Sequence, residues 1–254
     1  MARDTVIAVE GMTVRFGDNL VLDQVSLTVE RGEVVVIAGG SGCGKSTLLK
    51  HMIGLYRPES GSVVINGVEI VGASEEEMDR VHRQIGVLFQ SSALFGSFTV
   101  LENVALPIRD FTDLSPERAE LLAKAKLAMV GLAGYENHLP SEISGGMMKR
   151  AALARAMALD PQVLFFDEPS AGLDPITAAG LDRLINRINQ GLGTTMVIVT
   201  HELPSIFEIA HRVILLDKGV KGIVAQGPPE ELKDQSRDPR VMNFFQRLPE
   251  RLEG

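Results

Sequence analysis

The stretch that leaves this chain the least freedom is Val34-Val-Val-Ile-Ala38, joined directly to Gly39-Gly-Ser-Gly-Cys-Gly-Lys-Ser-Thr47. The first part is continuous, apolar and β-branched, as a strand covered on both faces should be. The second part is a glycine-rich turn that runs into the helical pattern TLLKHMIGL. From Gly39 to Ser46 the turn fits G-x-x-x-x-G-K-[ST], which chance produces in roughly one chain per hundred of this size. Glycines let the backbone wrap inward so that successive N–H groups face anionic oxygens, and the helix start behind them adds a positive dipole end. In such a cradle Lys45 reaches the β and γ phosphates of a nucleotide, and the Ser46 hydroxyl is a ligand for Mg²⁺. Gly39, Gly40, Ser41, Gly42, Cys43, Gly44 and Thr47 complete the predicted lining. Cys43, at the start of the helix, is expected to favour its thiolate if solvent reaches it.

A second apolar strand, Val163-Leu-Phe-Phe, ends in Asp167-Glu168. Two acids after such a run also suit a solvated strand end; the phosphate cradle upstream favours a chemical role. Asp167, at the C-terminal edge of a sheet, can hold Mg²⁺ through water. Glu168 can take the proton of a water attacking the γ-phosphate and is the candidate general base.

The remaining pattern supplies a frame. Short β segments fill the chain to about residue 70, among them SGSVVINGVEI with its Asn66-Gly67 turn. From about 91 to 160 the pattern turns mostly helical, and thereafter the apolar strands VLFFDE, TTMVIVTH and RVILLDKG alternate with the helix DPITAAGLDRLINRINQGLG. This predicts an α/β P-loop fold with a parallel core sheet, an N-terminal antiparallel β subdomain and an inserted helical subdomain over about 91–160. The ATPase domain is expected over 1–239, and a C-terminal tail over 240–254 carries the apolar cluster Met242, Phe244, Phe245 and Leu248.

A net charge of −8 has the wrong sign for a protein that neutralises phosphates along a nucleic acid, so no nucleic-acid partner is expected. The N-terminus is charged where a signal peptide needs an apolar core, and no apolar run approaches membrane-spanning length. The single cysteine cannot form an internal disulfide, which agrees with a cytoplasmic chain.

The chain resembles the ABC ATPase family along nearly its whole length. Ser144-Gly-Gly-Met-Met looks like the family's signature motif and precedes the helix KRAALARAMALDP; Ser170-Ala-Gly-Leu-Asp174 resembles the D-loop. His201 after VIVT resembles the switch histidine, Gln90 after GVLF the Q-loop glutamine, and Phe16 the aromatic that stacks on adenine. The resemblance implies ATP and Mg²⁺ as cofactors, with Glu168, His201, Gln90 and Lys45 in catalysis and Ser46, Gln90 and Asp167 around the metal. Ser144, Gly145, Gly146 and Asp174 would join the nucleotide site. In the family the signature grips the γ-phosphate from the opposite subunit, so a second copy of the chain is an implied partner. A Gly-Gly step before an Ala-rich helix makes an N-terminus suited to an anion. The departure is Met147, where the family usually has Gln, because Met offers no hydrogen-bond donor.

Within the family, SGGMMKRAALARAMALDP and FQSSALFGSFTVLENVALP look like the Mla-type phospholipid transport ATPases. That likeness implies a membrane permease, a small STAS-domain protein and a periplasmic lipid-binding component as partners, and a place on the cytoplasmic face of the bacterial inner membrane. The segment from Gln90 to Phe98 carries Leu94, Phe95 and Phe98 in a Ser- and Gly-rich stretch and is expected to dock the permease. Two alternatives are a soluble ABC ATPase serving nucleic acid or the ribosome, and a P-loop GTPase or kinase. The first usually carries a coiled-coil insertion or a second ATPase domain; the second lacks an N-K-x-D stretch here. An importer or exporter of another cargo is a third.

Overall fold

The computed structural model describes residues 4–247. In chain order the elements are β1 (Thr5–Phe16), β2 (Asn19–Glu30), β3 (Val34–Gly39), α1 (Lys45–Met52), β4 (Ser60–Ile65), β5 (Val68–Glu69), α2 (Glu75–His82), β6 (Ile85–Leu88), α3 (Val100–Phe111) and α4 (Pro116–Met129). A 3₁₀ turn at Pro140–Glu142 precedes α5 (Gly145–Ala156), β7 (Val163–Asp167), α6 (Pro175–Leu192), β8 (Thr195–Val199), α7 (Leu203–Ile209), β9 (Arg212–Asp217), β10 (Gly222–Gly227), α8 (Pro229–Gln235) and α9 (Pro239–Gln246). Contacts divide the chain into a terminal unit, up to Met78 and again from Val197, and a central unit, Asp79–Met196.

In the terminal unit one sheet runs in the order β2-β1-β4-β5, with antiparallel pairing throughout. Ile7, Val9, Met12 and Val14 on β1 and Leu22, Val25, Leu27 and Val29 on β2 are all buried. Alternation along most of each strand brings these side chains to one face. Asn66 and Gly67 both take positive φ, 47° and 79°, as a two-residue hairpin turn requires. Every residue of β3 is buried. It pairs in parallel with β9, which in turn pairs antiparallel with β10. At the end of this unit α9 packs through Val241 and Phe245, and the Phe245 ring lies 5.8 Å from that of Phe207 on α7. Phe244 is half-buried and Met242 exposed, while Leu248 lies outside the described residues.

In the central unit β6 and β7 pair in parallel from Ile85 opposite Val163 to Leu88 opposite Phe166. Helix α3 packs on both α4 and α5. It starts at a capping box in which Thr99 and Glu102 satisfy each other's backbone N–H. Ser115 caps α4, with Pro116 in the first turn where its missing N–H costs nothing. A Cβ on Gly86 would sit 2.0 Å from the Ala156 carbonyl oxygen, so the end of α5 lies directly on β6. The compact unit is larger than the expected helical insertion: α3 to α5 span 100–156, and β6, β7 and α6 belong to the same unit.

Candidate functional site

The phosphate loop belongs to the terminal unit and is fixed by contacts that exclude side chains. Gly39 has φ +147°, and a Cβ there would meet the Leu216 carbonyl oxygen at 2.4 Å and the Cys43 sulfur at 2.6 Å. Gly44 caps α1 at φ 102°. Both conformations favour glycine. Lys45, nearly buried, folds back so that Nζ donates to the carbonyls of Gly39 and Gly40, each at 2.9 Å. Ser41 and Gly42 are exposed, Ser46 and Thr47 half-buried. Cys43 is 2% exposed, and burial pushes its thiol above the ordinary range, with the opposing pull of Lys45 second to it. Solvent does not reach this sulfur, so the condition for a thiolate is not met.

Two further predicted residues lie in the same unit. Phe16 is 51% exposed and meets the 52%-exposed Tyr56 edge to face, with 6.5 Å between centroids. It is therefore an open aromatic face and not a core ring; Tyr56 is a neighbour that sequence reasoning missed. His201 is exposed, with Nε2 3.5 Å from the Glu202 carboxylate.

The central unit carries the acids and the signature residues. Asp167 closes β7 and is 6% exposed; Glu168, at 9%, comes next with φ 48°, a left-handed conformation uncommon for a side-chain residue. Ser144 caps α5, its Oγ accepting from the Met147 N–H at 3.3 Å. Gly145 is exposed, and a Cβ on Gly146 would lie 2.4 Å from Thr177 Cγ2. Asp174 caps α6: its carboxylate accepts from the Ile176 and Thr177 N–H groups and from Thr177 Oγ1, and the last of these leads in holding it below the usual range. That carboxylate is occupied in shaping the D-loop.

Gln90 is exposed, and its main-chain carbonyl accepts from Lys149 Nζ at 2.5 Å. Beyond it, Ser92 and Ala93 are left-handed, at φ 63° and 51°, and their carbonyls accept from the Arg155 guanidinium. Neither Lys149 nor Arg155 was among the predicted site residues. Phe95 is half exposed, and its ring lies tilted against that of half-buried Phe98 with 5.4 Å between centroids. It opens onto a cleft of about 360 Å³ lined by Leu106, Pro107, Phe111, Leu159 and Arg155 among others. Asn103, fully buried, accepts from the Phe95 N–H and donates to the carbonyls of Phe95, Phe98 and Thr99, which holds this loop in shape.

The chain is similar to known proteins along most of its length. A family model described as ABC transporter matches residues 22–171. The probable ribonucleotide transport ATP-binding protein mkl of Mycobacterium tuberculosis strain H37Rv is 44% identical over 239 residues, 94% of this chain, which spans only 66% of that relative's length. The intermembrane phospholipid transport system ATP-binding protein MlaF of Haemophilus influenzae is 41% identical, with 94% of this chain and 90% of the relative covered. MlaF of Escherichia coli K12 is 43% identical, covering 90% and 84%. Among solved structures, the dimeric post-hydrolysis cassette MJ0796 bound to ADP and phosphate superposes with a TM-score of 0.79 at 31% identity, over 87% of this chain and 98% of that one. The cbiO1 subunit from Clostridium perfringens reaches 0.83 at 28% identity, over 97% and 96%. A family model that runs from the second strand through the signature helix to the D-loop leaves one assignment: the chain belongs to the ABC transporter family, as an ATP-binding domain.

Proposed function

We propose that this chain binds and hydrolyses ATP to drive a membrane permease, working as one half of a dimer closed on two nucleotides. The observation that carries the reading is the phosphate loop, where only glycine fits at residue 39 and a nearly buried lysine lies across the turn. In this reading Lys45 exchanges its loop carbonyls for the β and γ oxygens, and Phe16 stacks on the adenine. Glu168 takes the proton of the attacking water, while Gln90 and His201 orient that water and the γ-phosphate. Ser144, Gly145 and Gly146 of the second copy grip the γ-phosphate through the start of α5. Asp174 acts by holding the D-loop.

Mg²⁺ fits the donors available. Ser46, Gln90 and Asp167 each offer a hard oxygen, and phosphates and water would complete the shell of an ion that supplies charge neutralisation on the transferring phosphoryl group. Glu168→Gln should keep ATP binding, abolish turnover and trap an ATP-dependent dimer on gel filtration. Near-normal hydrolysis by this variant would overturn the assignment.

For the cargo we infer phospholipid, moved between bacterial inner and outer membranes. The support is that the relatives named for intermembrane phospholipid transport are matched over 84–90% of their length, against 66% for the ribonucleotide relative. The proposed route to the bilayer is a permease on whose cytoplasmic face the chain sits, as in the family it belongs to. A STAS-domain protein and a periplasmic lipid-binding component complete the proposed assembly. The apolar cleft beside Phe95 is the proposed docking site for the permease. Replacing Leu94 and Phe95 by Ser should weaken co-purification with the permease and uncouple transport while ATP affinity holds. Normal assembly and transport would place the docking site elsewhere, and unfolding would make these residues core. Lipid species enriched in the purified complex over the bulk membrane test the cargo.

A further inference from the structure

A lysine ammonium that is 5% exposed needs acceptors to offset the loss of water. Lys149 finds them on two main chains: the carbonyl of Gln90 at 2.5 Å and the carbonyl of Glu168 at 3.5 Å. One cation on α5 thereby joins the loop after β6 to the loop after β7. Both loops need holding. Glu168 is left-handed at φ 48°, and its carbonyl also accepts from the Ala171 N–H at 3.2 Å. On the other side Ser92 and Ala93 are consecutive left-handed side-chain residues, secured only two positions on from Gln90 by Arg155. L-residues avoid this region unless their surroundings fix it. Burial draws the ammonium below its ordinary range, and the carboxylates of Asp167 and Glu168 pull the other way.

We propose that Lys149 is a positioning residue, which fixes the backbones of Gln90 and Glu168 in one arrangement so that the carboxamide and the carboxylate are presented together. Because Lys149 lies one turn beyond Ser144-Gly145-Gly146 on the same helix, a displacement of the signature end of α5 is carried through this side chain to both loops, whereas Arg155 of the same helix holds only the loop after β6. The proposal rests on the reading of Glu168 as the base. Lys149 itself touches neither nucleotide nor water in it.

The test compares Lys149→Met, Lys149→Arg and Glu168→Gln with the unaltered protein by steady-state ATP hydrolysis, nucleotide affinity and amide hydrogen exchange. A base displaced by a fraction of an ångström to about 1 Å should lower kcat by about tenfold to a hundredfold. Lys149→Met should show that fall with KM and ATP affinity within about twofold, and faster exchange at Ala171. Lys149→Arg, which can span two carbonyls, should recover most of the lost kcat. A purely packing role for the side chain predicts the reverse, because Met fills the volume better than Arg does. A Lys149→Met kcat within twofold of normal, a loss that falls on KM, or failure of Arg to rescue would overturn the proposal. If Lys149→Met does not fold, Lys149→Gln is judged by the same criteria. Normal hydrolysis by Glu168→Gln would remove the underlying reading and the proposal with it; an inactive Glu168→Gln beside an unimpaired Lys149→Met would remove the proposal alone.

Discussion

Gly146→Ala separates two reasons for a glycine in the signature motif. The added methyl would lie 2.4 Å from Thr177 Cγ2, well inside van der Waals contact. Thr177 cannot turn away, because its Oγ1 is bonded to the Asp174 carboxylate at 2.5 Å and its N–H to the same group at 3.1 Å. Inserting a methyl into such a contact costs about 1–3 kcal/mol. Gly to Ala within a helix returns about 0.5–1 kcal/mol. The net expectation is a loss of about 0–2.5 kcal/mol, or up to roughly 10 °C in Tm for a chain near this size. Thr177→Ser keeps the hydroxyl bond to Asp174 and removes the offending methyl. In that background Gly146→Ala should become neutral or mildly stabilising, so a double-mutant cycle should return about 1–3 kcal/mol of coupling. The assay is urea unfolding of all four proteins, with ATPase rates taken well below every Tm. An equal cost of Gly146→Ala in both backgrounds would refute the steric argument. Recovered stability without recovered turnover would instead assign the glycine to the face that grips the second copy's nucleotide.

Asn103→Leu should strand the Phe95 N–H and the Phe98 carbonyl, since the Phe95 and Thr99 carbonyls keep the main-chain N–H groups of Phe98 and Asn103, costing about 1–3 kcal/mol per group left unpaired. The loss should appear as fast amide exchange over residues 95–99 before global unfolding; unchanged protection there would refute it. Cys43 should react with maleimide at neutral pH far more slowly than the same thiol in urea, and fast labelling of the folded chain would contradict its burial. Since its folded-state pKa is raised by burial, the thiol leaves stability untouched below the ordinary thiol range, and stability should fall as pH climbs through that range.

How much of this was legible in the sequence depends on whether a residue's role is set by its near neighbours. Gly39 and Gly44 announce themselves because a sharp turn between strand and helix forces positive φ within a few residues, and Asn66-Gly67 does the same for its hairpin. The five-residue strand Val163–Asp167 is equally plain, since every position is buried. Lys149 is different. Its acceptors are 59 and 19 residues away, and along α5 it reads as one more basic residue between Met148 and Arg150. The helical pattern gives no help, because a lysine on a buried face violates the pattern that would identify the face. Asn103 is hidden in the same way within α3, where its fourfold service to the loop depends on tertiary closure. Asp174 shows the complementary case: its place in the D-loop suggests a ligand, and its local backbone turns the carboxylate into a helix cap. Motif reasoning therefore finds the groups whose backbone is special and misses those that hold that backbone from a distance. A buried cation or amide with main-chain acceptors on two loops is the feature to look for when a family motif is recognised but its coupling is not.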